Sequence, residues 1–550
     1  MRIAFVSYET PFARAGGVAA VMGRLPEAMR ELGAGDVTVV TPFHHKIPDT
    51  AQLASTLETA AEFNVPFQAR SIHVRVLRAR NGYLFLQPDD KDFFTGHPHP
   101  YSVTESKLRR DALFFGLATW RALEALDAET PWTLMLQDWE AATTALAISQ
   151  ARRKPRMILT LHNSYDAGVT DDQLTELGIA PAACPGHTVL TRALPFMEPH
   201  IATVSGQFAA DLLNDPLQSK ILADHLGAPL SGCLVGINNG PFVDLGIPPQ
   251  VLESAARDDF TRLVDWKSGN RSSALKALDS FTPSVERPFW GNKGRMLHTA
   301  SGDLPWFVMA GRDDTRQKGY EVAAQAARAF LETGGRACFF FFPMPGDEGD
   351  AGLSFLKELA EEHADWVSVF PFRWMEGFSA TLKGASFGLM PSFYEPFGMA
   401  NEFYLNGTLG IGRATGGVAQ QIVPLRGCAS FSLAAEAIAN RWHTSSARPT
   451  GLLYRESLET FETVRSWKQL NEASYQRTEH RTRRLESRKH LPLFRSMVAE
   501  LHAALRDGCW LSRDSRAYAQ MLVEGVRYIQ NAFSWRRAAR EYARLARLEL

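Results

Sequence analysis

A pair of glycines stands where the first predicted strand gives way to a helix. Gly16 and Gly17 follow the apolar run Arg2–Tyr8, and Arg14 stands just before them. Glycine lets the backbone come close to a phosphate group, while a helix N-terminus offers unpaired N–H groups and a partial positive charge. Arg14 would add a fixed cation. The corner is therefore a candidate phosphate-binding loop, although most glycine-containing corners of this kind are only turns.

A similar corner occurs in the second half of the chain. Thr415, Gly416 and Gly417 follow the predicted strand Leu409–Gly412. Open α/β sheets bind their ligands beyond the carboxyl ends of the strands, and both glycine corners lie at such ends. Two Rossmann-like halves with these loops would bind a nucleotide-linked substrate, and this interpretation is favoured modestly over two unrelated turns.

Two cations follow the predicted strand Trp306–Gly311. Arg312 and Lys318 stand close together in the loop after it. Positive charge here suits a diphosphate leaving group, whose growing negative charge must be stabilised during the reaction. The alternative is a solvated loop in which the cations pair with Asp313 and Asp314.

A carboxylate lies just beyond the predicted strand Phe387–Pro391. Glu395 precedes Pro396, which biases its backbone toward an extended conformation, and the region of Gly398 can open a helix with exposed N–H groups. A carboxylate in this position can orient sugar hydroxyls or stabilise a cationic reaction centre. It could equally cap a helix or pair with a cation.

Short apolar strands alternate with amphipathic helices along most of the chain, and these elements would position the loops. In the first half the predicted strands are Arg2–Tyr8, Val37–Thr41, Ile72–Arg78, Tyr83–Gln87, Thr133–Gln137, Met157–Leu161, His200–Val204 and Cys233–Gly236. In the second half they are Trp306–Gly311, Ala337–Pro343, Trp366–Phe370, Phe387–Pro391 and Leu409–Gly412. Strand–helix alternation of this kind predicts parallel sheets in α/β layers.

Changes in this pattern predict the domain organisation. Strand signals stop well before residue 302, so two Rossmann-like lobes are expected at 1–301 and 302–532. Residues 467–516 are rich in Arg and Glu with helical periodicity, which indicates a helical insertion in the second lobe. Residues 533–550 predict a final helix with Ser534 as its N-cap.

The composition excludes several functional classes. Among 550 residues, 59 Lys and Arg nearly balance 60 Asp and Glu, whereas a nucleic-acid-binding protein normally has a basic surplus. No apolar run approaches the roughly 20 residues that span a bilayer, and no export signal precedes the first strand. The five cysteines are scattered without a C-x-x-C motif, as in reduced cytosolic proteins. We therefore expect a soluble, cytoplasmic protein of several domains.

Taken in order, these motifs resemble those of the glycogen and starch synthases, GT5-type retaining glycosyltransferases with the GT-B fold. The similar segments are Arg14–Gly17, Gln137–Glu140, Thr160–Asn163, Asn239–Gly240, Arg312 with Lys318, Met390–Gly398, Thr415–Gly417 and Phe533–Trp535. The resemblance covers most of the chain. It implies two Rossmann-like lobes that face each other across a cleft, with a final helix that returns to the first lobe.

The resemblance also implies an activity: transfer of glucose from a nucleotide diphosphate sugar to a carbohydrate acceptor, with retention of the anomeric configuration. The implied catalytic residues are Glu395, Arg312, Lys318 and His162. The implied donor- and phosphate-binding residues are Arg14, Gly16, Gly17, Asn239, Phe397, Gly398, Met399, Thr415, Gly416 and Gly417. The implied acceptor- and sugar-binding residues are Asp138, Trp139 and Asn163. Because Arg312 and Lys318 would stabilise the departing diphosphate, neither a metal nor another cofactor is expected.

Several positions depart from the family pattern. Ala20 stands in place of an aspartate, and Gln137 and Glu140 replace two histidines. Phe403 occupies a position where relatives carry Tyr or Glu, while Glu402 stands one residue earlier. On a helix this offset turns the carboxylate by about 100° around the axis, so Glu402 is expected to miss a ribose.

Three functions therefore remain open. The first is extension of an α-1,4-glucan from ADP-glucose or UDP-glucose. The second is the same chemistry on another acceptor, such as a surface-polysaccharide precursor, a small glycoside or a protein; the departures at Ala20 and at the two histidine positions favour it. The third is a non-catalytic relative that binds carbohydrate or nucleotide, which is disfavoured because Arg312, Lys318 and Glu395 occur together.

Overall fold

The structure, a computed structural model, describes residues 2–151, 153–346, 348–457, 460–474 and 481–547. The chain forms two compact units. The first comprises Met1–Phe242 and Phe533–Leu550, and the second comprises Val243–Ala532. Within the described ranges, no helix is long and apolar enough to cross a membrane.

The first unit is built around a nine-stranded, mostly parallel sheet. Its strands are β1 Arg2–Val6, β2 Asp36–Pro42, β3 Glu58–Phe67, β4 Arg70–Arg78, β5 Tyr83–Pro88, β6 Trp132–Gln137, β7 Arg156–Leu161, β8 Ile201–Thr203 and β9 Leu234–Gly236. They lie in the order β3-β4-β5-β2-β1-β6-β7-β8-β9. Only β4 runs antiparallel to its neighbours, β3 and β5. The carboxyl ends of β1, β6 and β7 therefore lie side by side at one edge.

Helices cover this sheet. They are α1 Gly17–Glu31, α2 Pro48–Ala51, α3 Glu105–Leu126, α4 Asp138–Ile148, α5 Asp171–Glu176, α6 Val189–Ala193, α7 Gly206–Asn214 and α8 Gly227–Leu230. In α1 the apolar residues Val18, Met22, Leu25 and Met29 recur every three or four positions, so they share one buried face.

The second unit contains a six-stranded, entirely parallel sheet. Its strands are β10 Trp306–Arg312, β11 Cys338–Met344, β12 Val367–Val369, β13 Phe387–Met390, β14 Leu409–Arg413 and β15 Leu452–Tyr454, in the order β12-β11-β10-β13-β14-β15. The four phenylalanines of β11 are all buried, because both faces of a parallel sheet are covered by helices. Since β10 and β13 are neighbours, the loops that follow them leave the same edge of the sheet.

The helices of the second unit are α9 Pro249–Ala255, α10 Thr261–Ser280, α11 Lys293–Ala300, α12 Tyr320–Glu332, α13 Ser354–Glu362, α14 Phe378–Gly384, α15 Ala400–Leu405, α16 Gly416–Gln421, α17 Leu433–Ala439, α18 Thr460–Ser474, α19 Arg481–Lys489, α20 Pro492–Arg513 and α21 Ser515–Ala532. Within the stretch predicted as an insertion, α20 lies on the sheet itself, with Gly508 against Phe307, Phe387 and Ile411. The helices that stand apart from the sheet layer are therefore α18 and α19, and residues 475–480 between them lie outside the described part.

The boundary between the units lies at Phe242, not near Ser301 as the sequence predicts. Helices α9, α10 and α11 belong to the second unit, and buried cations on α10 hold them there. Nζ of Lys267 donates to the carbonyls of Ala385 (2.7 Å) and Gly407 (2.5 Å). The second unit therefore begins with three helices, well before its first strand at Trp306, and a boundary placed by strand signals falls too late in the chain.

The last helix of the chain, α22 Trp535–Leu545, packs within the first unit. Ser534 is its N-cap, since the Ser534 hydroxyl accepts from the N–H of Arg537 at 3.2 Å. Its buried face includes Ala539 and Tyr542, which join the core formed by α1 and the sheet. Nε1 of Trp535 donates to the carbonyl of Pro241 at 2.7 Å.

Two strands escape the sequence analysis. Strand β3 at the edge of the first sheet has an exposed face and contains Pro66, so its pattern is polar. Strand β15 has only three residues, too few to show a period.

Candidate active site

The glycine corner of the first unit holds a carboxylate of the protein itself. Oε1 of Glu9, in the loop between β1 and α1, accepts from the N–H groups of Ala15 (3.1 Å), Gly16 (2.5 Å) and Ala19 (3.1 Å). Burial raises the pKa of Glu9 above its ordinary value, and these N–H groups offset only part of the rise. The N–H of Gly16 thus already has an acceptor, contrary to the expectation that it faces a phosphate.

Arg14 and Gly17 form the solvent-facing part of the same corner. Nε of Arg14 donates to the carbonyl of Pro11 at 2.7 Å, which restrains the guanidinium group. Gly17 begins α1, so its N–H is one of the first-turn amides that have no acceptor within the helix. An anion that reached this corner would therefore meet Arg14 and the first turn of α1.

Three predicted residues meet at the carboxyl ends of β6 and β7. Oδ1 of Asp138 accepts from the N–H of His162 at 2.6 Å, and Oδ2 accepts from Nδ2 of Asn163 at 3.1 Å. Asp138 has a φ of +61°, a conformation that is uncommon for a residue with a side chain and that its surroundings must maintain. The two hydrogen bonds supply part of that restraint.

Buried carboxyl groups accumulate around Asp138. Burial raises the pKa of Asp138 to about 7, the N–H of His162 opposes the rise, and nearby Glu9 adds to it. Burial also raises the pKa of Glu140 well above its ordinary value, and Asp138 adds to that rise. Glu140 lies inside the unit, with 5% of its surface exposed. The resemblance to the family places it where relatives carry a histidine. The cluster carries less negative charge at neutral pH than its composition suggests.

His162 is held as a neutral imidazole. Its Nε2 lies 2.8 Å from Oε1 of Gln137, and the amide of Gln137 is oriented by its own donation from Nε2 to the carbonyl of Met135 at 3.0 Å. Because an amide oxygen only accepts, Nε2 of His162 carries the proton and Nδ1 carries the lone pair. Burial lowers the pKa of His162 to about 3. Gln137 thus replaces a family histidine by a group that selects one tautomer of His162.

The two remaining predicted residues of the first unit are buried. Trp139 is 5% exposed, so most of its ring is inside the unit. Asn239 is 1% exposed, and its Oδ1 has no hydrogen-bond partner in the described part of the chain.

In the second unit the structure joins two of the predicted catalytic residues. Nζ of Lys318 lies 2.6 Å from Oε2 of Glu395, which also accepts from the hydroxyl of Ser392 at 3.0 Å. The side chain of Glu395 is 9% exposed and that of Lys318 is 28% exposed. The loops that carry them are joined by a backbone hydrogen bond of 2.7 Å, from the N–H of Phe393 to the carbonyl of Gln317.

Glu402 interacts electrostatically with this pair. Burial raises the pKa of Glu402 to about 7; Lys318 lowers it and Glu395 raises it, so the three charges interact. Both Glu402 and Phe403 lie on α15, so their side chains do leave the helix in different directions, and the expectation that Glu402 misses a ribose stays a prediction. Phe403, at the position where relatives carry Tyr or Glu, is fully buried in the core.

Arg312 stands at the end of β10 with its side chain 38% exposed. Its Nη2 lies 3.4 Å from Oδ2 of Asp314, so Arg312 pairs with this aspartate, as in the alternative of a solvated loop. That alternative does not apply to Asp313, which is 6% exposed and bonds instead to Arg481 of α19.

The second glycine corner packs directly on the loop of Glu395. The N–H of Gly417 donates to the carbonyl of Glu395 at 3.0 Å. A Cβ atom on Gly416 would lie 1.8 Å from that carbonyl oxygen, and one on Gly417 would lie 2.1 Å from the carbonyl oxygen of Phe397. These glycines therefore allow two loops to touch, and the N–H of Gly417 is not directed at a phosphate as the sequence suggests.

The other predicted donor residues surround this contact. Thr415 is the N-cap residue of α16 and is 1% exposed, and Phe397 is 4% exposed. Gly398 and Met399 are half-buried at the start of α15. The carbonyl of Phe397 accepts from Nε2 of Gln421 at 2.5 Å, which ties the loop to α16.

Each unit thus brings its own predicted residues together. Three further residues near them belong to no motif. Glu9, Glu402 and Asp313 were not predicted as site residues, and a single acidic residue in a loop gives little signal by itself. Trp374 is 2% exposed and stacks on Phe370 at 4.3 Å between ring centroids. Among the described residues, no three His, Cys, Asp or Glu side chains are arranged to hold a metal ion.

Known proteins share this sequence pattern. Residues 2–225 match the family described as starch synthase catalytic domain, and residues 264–402 match the family 4 glycosyltransferases of conflict systems. Glycogen synthase 2 of Agrobacterium fabrum is 25% identical over 443 residues, which cover 77% of this chain and 79% of the relative. A glycogen synthase of Yersinia pestis is 28% identical over 459 residues, 79% of this chain and 87% of the relative.

Solved structures share the fold. The catalytic domain of starch synthase IV from Arabidopsis thaliana, bound to ADP and acarbose, has a TM-score of 0.61 at 16% identity, covering 92% of this chain and 99% of that one. Sucrose-phosphate synthase from Thermosynechococcus elongatus has a TM-score of 0.50 at 15% identity, covering 99% and 98%.

Two parallel-sheet units and these relatives define the class of the protein: it is a glycosyltransferase with the GT-B fold. Within that class the chain is similar to the glycogen and starch synthases, as the match of residues 2–225 and its glycogen synthase relatives indicate.

Proposed function

We propose that the protein is a retaining glycosyltransferase that moves glucose from ADP-glucose or UDP-glucose to the non-reducing end of an α-1,4-glucan in the cytoplasm. The observation that carries the proposal is the group formed by Lys318, Glu395 and Ser392 on loops at one edge of the second sheet. A cation beside a buried carboxylate suits a substrate with a diphosphate at one end and sugar hydroxyls at the other. The glycogen synthase relatives support the choice of donor and acceptor.

In this proposal Arg312 and Lys318 stabilise the diphosphate as its bond to C1 of the sugar breaks. The ammonium of Lys318 is the more exposed member of its pair, so it can be shared with a phosphate while Glu395 accepts from sugar hydroxyls. The acceptor hydroxyl forms the new bond to C1 on the same face, and its proton passes to the leaving phosphate. The two cations take the part that a metal plays in other transferases, so no metal is required.

The first unit contributes separate polar groups. We assign His162 to the sugar, since its Nδ1 can accept a hydrogen bond while Gln137 holds Nε2. Asp138 and Asn163 are assigned to the acceptor side through their link to His162. Arg14 and the first turn of α1 are assigned to phosphate, while Gly16 serves by holding Glu9.

A different acceptor is the second candidate function. The observation that favours it is the buried Glu140 beside Asp138, because a carboxylic acid there differs in charge and hydrogen bonding from the family histidine. Ala20, which stands in place of a family aspartate, points the same way.

Nucleotide release from a panel of nucleotide sugars tests these functions, with and without glycogen or maltooligosaccharides. Release from ADP-glucose or UDP-glucose that requires the glucan is expected. Slow release that glucan does not stimulate indicates the other acceptors, and nucleotide binding without any release indicates a non-catalytic relative.

The site assignment is tested by Lys318→Ala and Glu395→Ala. Each is expected to lower kcat by about 10²–10³, the usual effect of losing one group that stabilises developing charge. The control is Lys357→Ala, since Lys357 is a lysine of the same unit whose side chain is 53% exposed. Near-normal turnover in either site variant, with folding confirmed by circular dichroism, would contradict the assignment.

A further inference from the structure

Helices α18 and α19, called the helix pair below, reach the loop of Arg312 through a buried ion pair. Nη2 of Arg481, the first residue of α19, donates to Oδ1 of Asp313 at 2.9 Å, and Nη1 bonds the other oxygen of the same carboxylate. A bidentate contact of this kind fixes the direction as well as the distance of the two groups. Both side chains are at most 4% exposed, so water does not compete for the contact.

Asp313 lies in the same loop as Arg312 and Lys318. It directly follows Arg312, and its N–H donates to the carbonyl of Met344 at 2.8 Å. The chain then turns tightly, since the carbonyl of Asp314 accepts from the N–H groups of Gln317 (3.1 Å) and Lys318 (3.0 Å). A displacement of Asp313 would therefore move both cations of the loop.

Helix α19 also bonds to the first turn of α12, the helix that follows this loop. Glu321, in the first turn of α12, accepts from Nε of Arg481 at 2.9 Å and bonds Arg488 through its other oxygen. Burial alone would raise the pKa of Glu321, but Arg488 and Arg481 together lower it below its ordinary value. The start of α12 is thus held from α19 by two buried cations.

The helix pair contacts the loop of Glu395 as well. The ring of Trp467, on α18, meets the ring of Phe393 edge to face at 5.8 Å between centroids, and the guanidinium of Arg488 lies 5.7 Å from the same ring. Phe393 precedes Glu395 by two positions in the chain, and its carbonyl accepts from Nη1 of Arg413 at 2.6 Å. Ring contacts and the hydrogen bonds of the Phe393 backbone thus both restrain this loop.

We propose that the helix pair positions the two loops that carry Arg312, Lys318 and Glu395, with Arg481 and Trp467 as its positioning residues. Neither residue needs to touch the substrate, because each acts through Asp313 or Phe393. This role rests on the proposed function of the three site residues. It gives the helices that stand apart from the sheet a part in catalysis, since a 1 Å misplacement of a catalytic group can cost about 10²-fold in rate.

Two variants remove the contacts by different routes. The double variant Asp313→Asn with Arg481→Gln takes away one charge of each sign, so Glu321 keeps Arg488 and no carboxylate is left without a partner. A single change at Arg481 would strand buried carboxylates and risk unfolding. Trp467→Leu removes the ring contact to Phe393 without changing any charge.

The chain offers a matched control for each variant. Arg483→Gln changes an exposed arginine of the same helix, α19. Trp510→Leu changes a tryptophan that is 67% exposed on α20.

Hydrogen–deuterium exchange and donor kinetics measure the effect on the full chain. Faster amide exchange is expected in residues 313–319 for the double variant and in 391–397 for Trp467→Leu. Turnover of the nucleotide sugar should fall about 10²-fold in both variants, with a larger change in kcat than in the KM of the acceptor. Both controls should match the wild type in exchange and in turnover.

The outcomes separate this inference from the proposed function. If the wild type turns over no nucleotide sugar, the proposed function fails, but the exchange of the two loops still decides whether the helix pair positions them. Unchanged exchange in both loops would overturn the inference. So would exchange that rises equally throughout the second unit, because that pattern indicates global destabilisation.

Discussion

One methyl group at position 417 tests whether the contact between the second glycine corner and the Glu395 loop is essential. In Gly417→Ala the new Cβ would lie 2.1 Å from the carbonyl oxygen of Phe397 and 2.6 Å from its carbonyl carbon. Non-bonded heavy atoms rest at about 3.5 Å, so α16 and the loop must separate by roughly 1 Å. The backbone of Gly417 is not left-handed, so this contact alone determines the effect.

The size of the effect follows from that displacement. Forcing extra volume into a packed contact costs about 1–3 kcal/mol, and this should appear as a lower free energy of unfolding. Because the N–H of Gly417 donates to the carbonyl of Glu395, the carboxylate that pairs with Lys318 moves with the backbone. A shift of about 1 Å there should lower kcat by about 10²-fold.

Urea unfolding and initial rates of nucleotide release measure the two effects. The control is Gly269→Ala, because Gly269 lies exposed within α10 and a Cβ there would meet no atom within 4 Å. That change should raise stability by about 1 kcal/mol through helix propensity and leave turnover unchanged. Wild-type stability and turnover in Gly417→Ala would refute the argument that the two loops must touch.

Buried charge supports three further predictions. The native pKa of His162, about 3, lies below the unfolded value of about 6.5, so the stability due to neutral His162 is lost as the pH falls through this window, by about 1.4 kcal/mol per unit. His162→Gln should flatten this slope in urea unfolding. The native pKa of Asp138, about 7, lies above the unfolded value of about 3.8, so the wild type loses stability as the pH rises through this window. Asp138→Asn lacks this loss, so its stability should rise relative to that of the wild type from pH 4 to 7. If the free energy of unfolding of these variants depends on pH as that of the wild type does, the assigned burial is contradicted. Lys267→Met should lower the free energy of unfolding by about 1–3 kcal/mol, because carbonyls that include those of Ala385 and Gly407 lose their donor. Lys276→Met, at an exposed position of the same helix, should leave it unchanged. Equal stability of the two variants would show that Lys267 does not hold α10.

Local pattern predicts much of the fold, because buried parallel strands are short apolar runs. The run Phe339–Phe342 is predicted within a strand and observed in β11. The pattern fails at β3, whose exposed face makes it polar, and at the domain boundary. The boundary depends on contacts of Lys267 with carbonyls more than a hundred residues later in the chain, which no local window contains.

The site could be predicted residue by residue but not as a set of contacts. Lys318 and Glu395 each stand after an apolar strand, which is a local signal. Their ion pair requires that β10 and β13 be neighbours, a fact of sheet order. Glu9 shows the opposite case, since it lies between the first strand and the first helix and a single glutamate there matches no pattern.

Glu402 shows that a residue's position in the sequence does not by itself determine which charges it meets. The sequence argument compared Glu402 with Phe403, which stands eight residues after Glu395, and a shift of one residue on a helix turns a side chain by about 100°. In the structure Gly398 has a φ of +85° and α15 starts two residues later, so the chain bends between the two carboxylates. Phe403 is buried, and Glu402 is the residue of α15 whose carboxylate interacts with Lys318 and Glu395. Glu402 therefore acts on the predicted catalytic pair, while the expectation that it misses a ribose stays a prediction.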